Sequence, residues 1–231
     1  MQYQKGKPVA CVVGAASGLG KAVAEALSSQ EWEVLEKDVA FDDSRQMNAA
    51  EESEWEKLNL SSVDALVVAA GIREQSSLSA MTLESWRKVL DTNLTSAFLA
   101  LRAIARTQEN EASPRPKSVV LFGSAVIRKT VCGQASYNAS KAGVVSLVRS
   151  AALELADLNV RVNAVSPGSI LTPMTQKGWE DPSHSQRMKD EIPLGRAGCP
   201  SEVAQLVLSL VSPKTKYVTG SDFVIDGGWS L

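Results

Sequence analysis

The chain has 231 residues, 44% of them hydrophobic and 22% charged, with a formal net charge of -2; that length fills one core, so a single domain over residues 1–231 is expected. The near-zero charge removes any electrostatic case for nucleic acid or an anionic membrane as partner, leaving a small molecule. No apolar run approaches the ~20 residues that span a bilayer, residues 1–6 show no leader pattern, which points to the cytoplasm, and Cys11, Cys132 and Cys199 lack the spacing of a disulfide framework or a zinc site.

In chain order, residues 9–13 are a short apolar run ending at Gly14, and the helical pattern Val23, Ala26, Leu27 follows. This reads as strand, Gly-rich turn, helix. Residues 33–37 predict a second strand ending at Asp38, and residues 65–69 a third ending before Gly71. The polar stretch between them has room only for a short strand near residues 46–49 and about two helical turns. From Leu83, the apolar positions Trp86, Leu90, Leu94, Ala97, Phe98, Leu101 and Ile104 predict one long amphipathic helix with Thr82 as its N-cap. Residues 118–122 read as a buried strand, 135–156 as a helix and 160–165 as a strand. A last helix opens at Pro200 and carries Val203, Leu206, Val207 and Leu210, before a final strand at 223–225. Alternating strands and helices predict an α/β fold with a doubly wound parallel sheet, its ligand at the carboxyl ends of the strands. Residues 172–195 are polar and lack regular patterning, and are expected to form a flexible flap over that site.

The turn Gly14-Ala15-Ala16-Ser17-Gly18-Leu19-Gly20 lies directly after the first strand. Glycines there permit a tight turn and bring a pyrophosphate against N–H groups at a helix N-terminus. Asp38, at the end of the second strand, suits the two hydroxyls of an adenosine ribose and would repel a 2'-phosphate. Ser17 and Val39 flank that pocket and neither is basic, while strand alternation turns Lys37 away. NAD is therefore favoured over NADP, with Asn48 a candidate polar contact for the adenine.

Tyr137 and Lys141 are four residues apart on a predicted helix and so share a face. A free tyrosine titrates near ~10 and a neighbouring cation lowers that value, which makes the pair a candidate acid/base. With the Gly-rich turn, Asn93, Ser124, Tyr137, Lys141 and Pro167-Gly168 in this order, the chain resembles the short-chain dehydrogenase/reductase family. The likeness runs from Lys7 to Val224-Ile225-Asp226-Gly227-Gly228.

The resemblance implies a Rossmann-type, three-layer α/β/α domain that transfers a hydride between NAD(H) and a secondary alcohol or ketone. It makes Tyr137 the general acid/base, and Lys141 the group that holds the nicotinamide ribose and depresses the tyrosine pKa. Ser124 would hydrogen-bond the substrate oxygen, and Asn93 would disturb its helix and hold a water leading to Lys141. Ala70 and Gly71 would lie beside the cofactor, and Pro167, Gly168, Ile170 and Thr172 would clasp its carboxamide. Homotetramers or homodimers, built on the two longest helices and the C-terminal strand, are expected.

Two departures stand out. Val13 replaces the family's threonine before the first glycine, and Val68-Ala69-Ala70-Gly71 replaces its Asn-Asn-Ala-Gly, so side-chain hydrogen bonds that brace the turn are lost. The stretch from Asp38 to Val68 is also short by about one helix. An NADPH-dependent carbonyl reductase is the nearest alternative, and a non-catalytic NAD-binding sensor or scaffold is the alternative of another class. His184 reads as a surface-loop residue, Met174 and Trp179 as a possible apolar lid, Cys132 and Gln134 as pocket lining, and Trp32 and Trp55 as packing.

Overall fold

A computed structural model of the chain describes residues 6–231; residues 1–5, on which the leader reading mostly rests, lie outside them. Six strands, β1 (Val9–Val13), β2 (Glu33–Lys37), β3 (Ala65–Val68), β4 (Lys117–Phe122), β5 (Val160–Pro167) and β6 (Asp222–Ile225), form one sheet. Their order is β2-β1-β3-β4-β5-β6, and every pairing is parallel. Helices fill the crossovers that parallel pairing requires: α1 (Gly18–Ser29), α2 (Glu52–Glu56), α3 (Leu83–Leu90), α4 (Ser96–Glu109), α5 (Ala135–Glu154), α6 (Gln176–Glu180), α7 (Pro182–Glu191) and α8 (Pro200–Val211).

Side-chain alternation along the strands builds two cores. Cys11, Val13, Leu66, Val68, Val119 and Leu121 pack with α4 and α5, whereas Ala10, Val12, Ala65, Val67, Val120 and Phe122 pack with α1 and α8. Strands covered on both faces read as unbroken apolar runs, which is why the sequence made β1, β3 and β4 conspicuous. The result is the three-layer, doubly wound α/β/α arrangement expected. The chain leaves β1 in one direction for β2 and returns past it to β3. A crevice therefore opens between the carboxyl ends of β1 and β3, where such sheets bind ligands.

Three local expectations are corrected. The strand at residues 46–49 shrinks to a single parallel bridge between Asp38 and Gln46, because only Met47 and Ala49 of that polar stretch have apolar side chains to bury. The shortened connection closes with the five-residue α2, whose buried Trp55 donates its indole N–H to the Ala49 carbonyl at 2.9 Å. The long helix after Thr82 is broken by a π turn over Asp91–Thr95, in which Ser96 N donates to Asp91 O five residues back. Thr82 is the N-cap, accepting from Ser85 N at 3.1 Å. Residues 172–195, read as irregular, hold α6 and α7. Asp181 caps α7 by accepting from Ser183 N and His184 N, with Pro182 in the first turn. That Asp-Pro-Ser start signal was present in the sequence, hidden by the polar character of the helix behind it. No helix among the described residues is long and apolar enough to cross a membrane.

Candidate active site

The turn after β1 is shaped by steric exclusion. Gly14 has φ +88°, and a Cβ there would overlap the backbone of Ala70; a Cβ on Gly20 would overlap the Gly14 carbonyl. Gly14 N donates to Lys37 O at 2.7 Å, so the turn is also pinned to β2. Val13 and Ala69 have no side-chain hydrogen bonds to offer, and backbone bonds hold the two strand ends together: Val13 O accepts from Ala69 N at 2.7 Å and from Ala70 N at 3.1 Å. Ser17 is at the N-cap of α1 without a side-chain cap bond, and no acidic residue lies in the first turn. The positive end of a helix is thereby left open for an anion.

Asp38 follows β2 and meets this turn. Its Oδ2 accepts from Ala16 N and its Oδ1 from Ala40 N, each at 2.9 Å. Lys37 donates Nζ to the Ser44 carbonyl at 2.7 Å and does not line the cleft, as strand alternation predicted. Asn48 does line it, with its Oδ1 accepting from Ala50 N at 3.1 Å.

At the other end, Ser124 follows β4, and Tyr137 and Lys141 occupy successive turns of α5. Lys141 Nζ lies 5.7 Å from the centre of the Tyr137 ring and donates to the Phe122 carbonyl at 2.8 Å. Complete burial lowers its pKa to about 8. Burial also raises the Tyr137 pKa above its ordinary value, against a downward pull from the Ser124 hydroxyl and then from the Arg73 guanidinium. The expected depression of Tyr137 by Lys141 is thus not what governs this site: the ammonium is turned to a main-chain carbonyl, and desolvation outweighs the nearby charge.

Asn93, in the π turn, is 3% exposed. Its Oδ1 accepts from Ile72 N at 2.8 Å, and its Nδ2 donates to Ile72 O at 2.9 Å and to Ser140 Oγ at 3.0 Å. The side chain clasps the loop after β3 to α5, and it holds Gly71 so close that a Cβ there would sit 3.3 Å from Asn93 Oδ1 and 3.5 Å from Lys141 Nζ. On the opposite wall Gly168 N donates to Ile225 O at 2.9 Å, Ile170 is bridged to Gly198, and Thr172 lies against Gly18.

One cleft of about 1060 Å³ is lined by Gly14, Ser17, Gly18, Leu19, Gly20, Asp38, Asn48, Ala70 and Gly71, and equally by Ser124, Tyr137, Lys141, Pro167, Gly168, Ile170 and Thr172. Of the catalytic and cofactor-binding residues expected from sequence, Asn93 alone lies behind its wall. Met174 and His184 also line it, the latter with Nδ1 3.1 Å from Arg187, so His184 belongs to the cleft and not to an outlying loop. Trp179 packs instead, as does Tyr137, against an apolar cluster that includes Met188, Ile192 and Trp229.

Four lining residues had no local sequence signal: Arg73, Lys129, Glu191 and Trp229. Glu191 accepts from the Trp229 indole at 3.1 Å and pairs with Lys129 at 3.3 Å, and these contacts hold its carboxyl below the usual range. Arg73 reaches across the cleft to donate to the Met174 carbonyl at 2.9 Å. Open helix N-terminus, glycine cradle and strand-end carboxylate fit a dinucleotide; phenol, hydroxyl and ammonium at the far end fit proton transfer beside it.

Residues 42–230 match a family model described as enoyl-(acyl carrier protein) reductase. The 3-oxoacyl-[acyl-carrier-protein] reductase of Synechocystis is 35% identical, over 95% of this chain and 96% of its own. The NAD-dependent glycerol dehydrogenase of Listeria innocua is also 35% identical, over 96% and 94%. A solved structure of a variant actinorhodin polyketide ketoreductase with NADPH superposes with a TM-score of 0.85, at 28% identity, covering 97% of each chain. The chain belongs to the short-chain dehydrogenase/reductase family, whose members are nicotinamide-dependent oxidoreductases of alcohol and carbonyl groups.

Proposed function

We propose that the protein interconverts a secondary alcohol and a ketone with NAD(H), using Tyr137 as general acid/base. The observation that carries this reading is the continuity of one cleft from the Gly14–Gly20 turn to the Tyr137 phenol beside Ser124. When bound, the nicotinamide gives or takes the hydride. Tyr137 gives the substrate oxygen its proton in reduction and receives it in oxidation. Ser124 donates a hydrogen bond where negative charge gathers on that oxygen. Lys141, protonated below about pH 8, would supply a positive charge to the cofactor ribose. Because burial keeps Tyr137 protonated, the resting site is set to donate: reduction should be favoured at neutral pH and oxidation should rise with pH.

Asp38 supports NAD as the preferred cofactor, since no basic side chain among the described residues stands beside it in the lining, where Ser17 and Val39 flank it. The glycerol dehydrogenase relative is NAD-dependent by name, while the ketoreductase structure contains NADPH, so the choice rests on this pocket. Exposed Phe98 on α4 and Leu153 on α5 favour a homo-oligomer assembled through these helices. The deciding experiment compares NADH with NADPH across a panel of ketones and secondary alcohols. A higher kcat/KM with NADH and turnover of at least one ketone are expected; preference for NADPH would refute the reading of Asp38. Cofactor binding without turnover of any substrate would point to the sensor alternative.

A further inference from the structure

Beyond Asp38 and Lys141, the cleft lining carries Arg73, Lys129, Lys177 and Arg187 against one carboxylate, Glu191. Glu191 is already engaged: Lys129 lies 3.3 Å from it and Arg187 3.8 Å. Arg73 differs from Arg187 in having no carboxylate partner among the described residues. One N–H goes to the Met174 carbonyl, and the rest of its planar fork is uncommitted. Its neighbour Glu74 is spent on Ser85 and Lys88.

The loop carrying Arg73 packs on the turn before α5. Ser76 N donates to Gly133 O at 2.9 Å, and Gln75 sits so close that a Cβ on Gly133 would be 3.3 Å from its Cγ. Arg73 and Gln134 line the same cleft; Gln134 is only 7% exposed, and its side-chain oxygen, an acceptor, has no hydrogen-bond partner among the described residues. A buried acceptor of this kind calls for a donor, so it is Arg73, and not Gln134, that offers hydrogen bonds to an anion. Arg73 lines the cleft with Tyr137 and Ser124, and its guanidinium is among the charges that act on the Tyr137 phenol.

We propose that Arg73 forms an anion subsite, so that the substrate is an oxo acid or hydroxy acid whose carboxylate lies against Arg73 while its carbonyl or hydroxyl meets Tyr137 and Ser124. This rests on the oxidoreductase reading above and names the substrate class of that site. A guanidinium matches a carboxylate with two parallel hydrogen bonds.

The test pairs oxo acids with their methyl esters: pyruvate, acetoacetate and levulinate, each reduced with NADH. For the chain length that fits, the acid should exceed its ester in kcat/KM by about tenfold to a hundredfold, the range of a charge-assisted pair. Arg73→Leu should bring that ratio near one, mainly through KM, and Arg73→Lys should restore part of it. Equal or better use of the esters by the wild type, or an acid preference that survives Arg73→Leu, overturns the subsite while leaving the oxidoreductase reading intact. A second readout needs no turnover. Malonate should raise the Tm of the wild-type complex with NADH, malonamide should not, and the rise should vanish in Arg73→Leu; absence of a malonate effect, or its persistence in the variant, also overturns the proposal. NADH binding by fluorescence, measured alongside, reports separately on the cofactor reading.

Discussion

The two ends of the cleft are built by opposite means. At the dinucleotide end, backbone does the work: Gly14 and Gly20 are required because a Cβ would overlap main-chain atoms of Ala70 and Gly14, and Asp38 is fixed by two N–H groups. At the far end, side chains remote in sequence converge, with Arg73 on Met174 and Lys129 on Trp229. The first end is specified by local spacing and tolerates no added atom, whereas the second depends on the whole chain folding around it and is free to vary in what it binds.

The sharpest way to separate the two ends is Tyr137→Phe, which should lower kcat by about a thousandfold, within the ~10²–10⁴ range for general acid/base catalysis, while NADH fluorescence titration gives an unchanged Kd. Near-normal turnover would refute the assigned chemistry. At the other end, Gly14→Ala should cost about 3–5 kcal/mol in urea unfolding, from a left-handed residue plus overpacking. Gly195 has φ +68° with open space around it, so Gly195→Ala should cost only ~1–2 kcal/mol; equal losses would show that steric exclusion does not define the turn.

Between the ends, Lys141 offers a pH test. Its folded pKa of about 8 lies below the ordinary lysine value of 10.5, so the folded state is penalised for holding the charge. That penalty is fully present below about pH 8 and fades as pH rises towards 10.5. Cofactor-free Lys141→Met should therefore gain stability relative to wild type at pH 7, by up to about 3 kcal/mol. The gain should shrink with rising pH in unfolding curves, and a pH-independent difference would contradict it. The smallest effect concerns Asp38→Ala, which should reduce the NADH over NADPH preference in kcat/KM by about tenfold, the worth of one charge-assisted contact.

What could be read from the chain follows the same division. Val9–Val13, Ala65–Val68 and Lys117–Phe122 were legible because strands buried on both faces are continuously apolar. Ser124, Tyr137 and Lys141 were legible because a strand end and two helical turns fix their spacing. The π turn was legible only through the resemblance, which has Asn93 disturbing its helix; periodicity misses it, since Leu90, Leu94 and Ala97 keep a helical rhythm through it. Periodicity likewise misses α7, whose polar face lines the cleft and whose residues alternate with no apolar stripe. The roles of Glu191 and Trp229 depend on partners 62 and 100 residues from Lys129; no local pattern encodes these pairings.

The extra residue in the Asp91–Thr95 turn also has a bearing on how this helix can change. In an α-helix each residue advances about 100° around the axis. Removing one residue to make the helix regular would swing all of α4 by that angle, turning Ala100, Leu101 and Ile104 out of the core that buries them. It would also pull Asn93 off Ile72 and Ser140. Catalytic clasp and core register are thus locked into a single reading frame. A lineage can replace residues in this turn one at a time, but it cannot shorten the turn without repacking half the sheet.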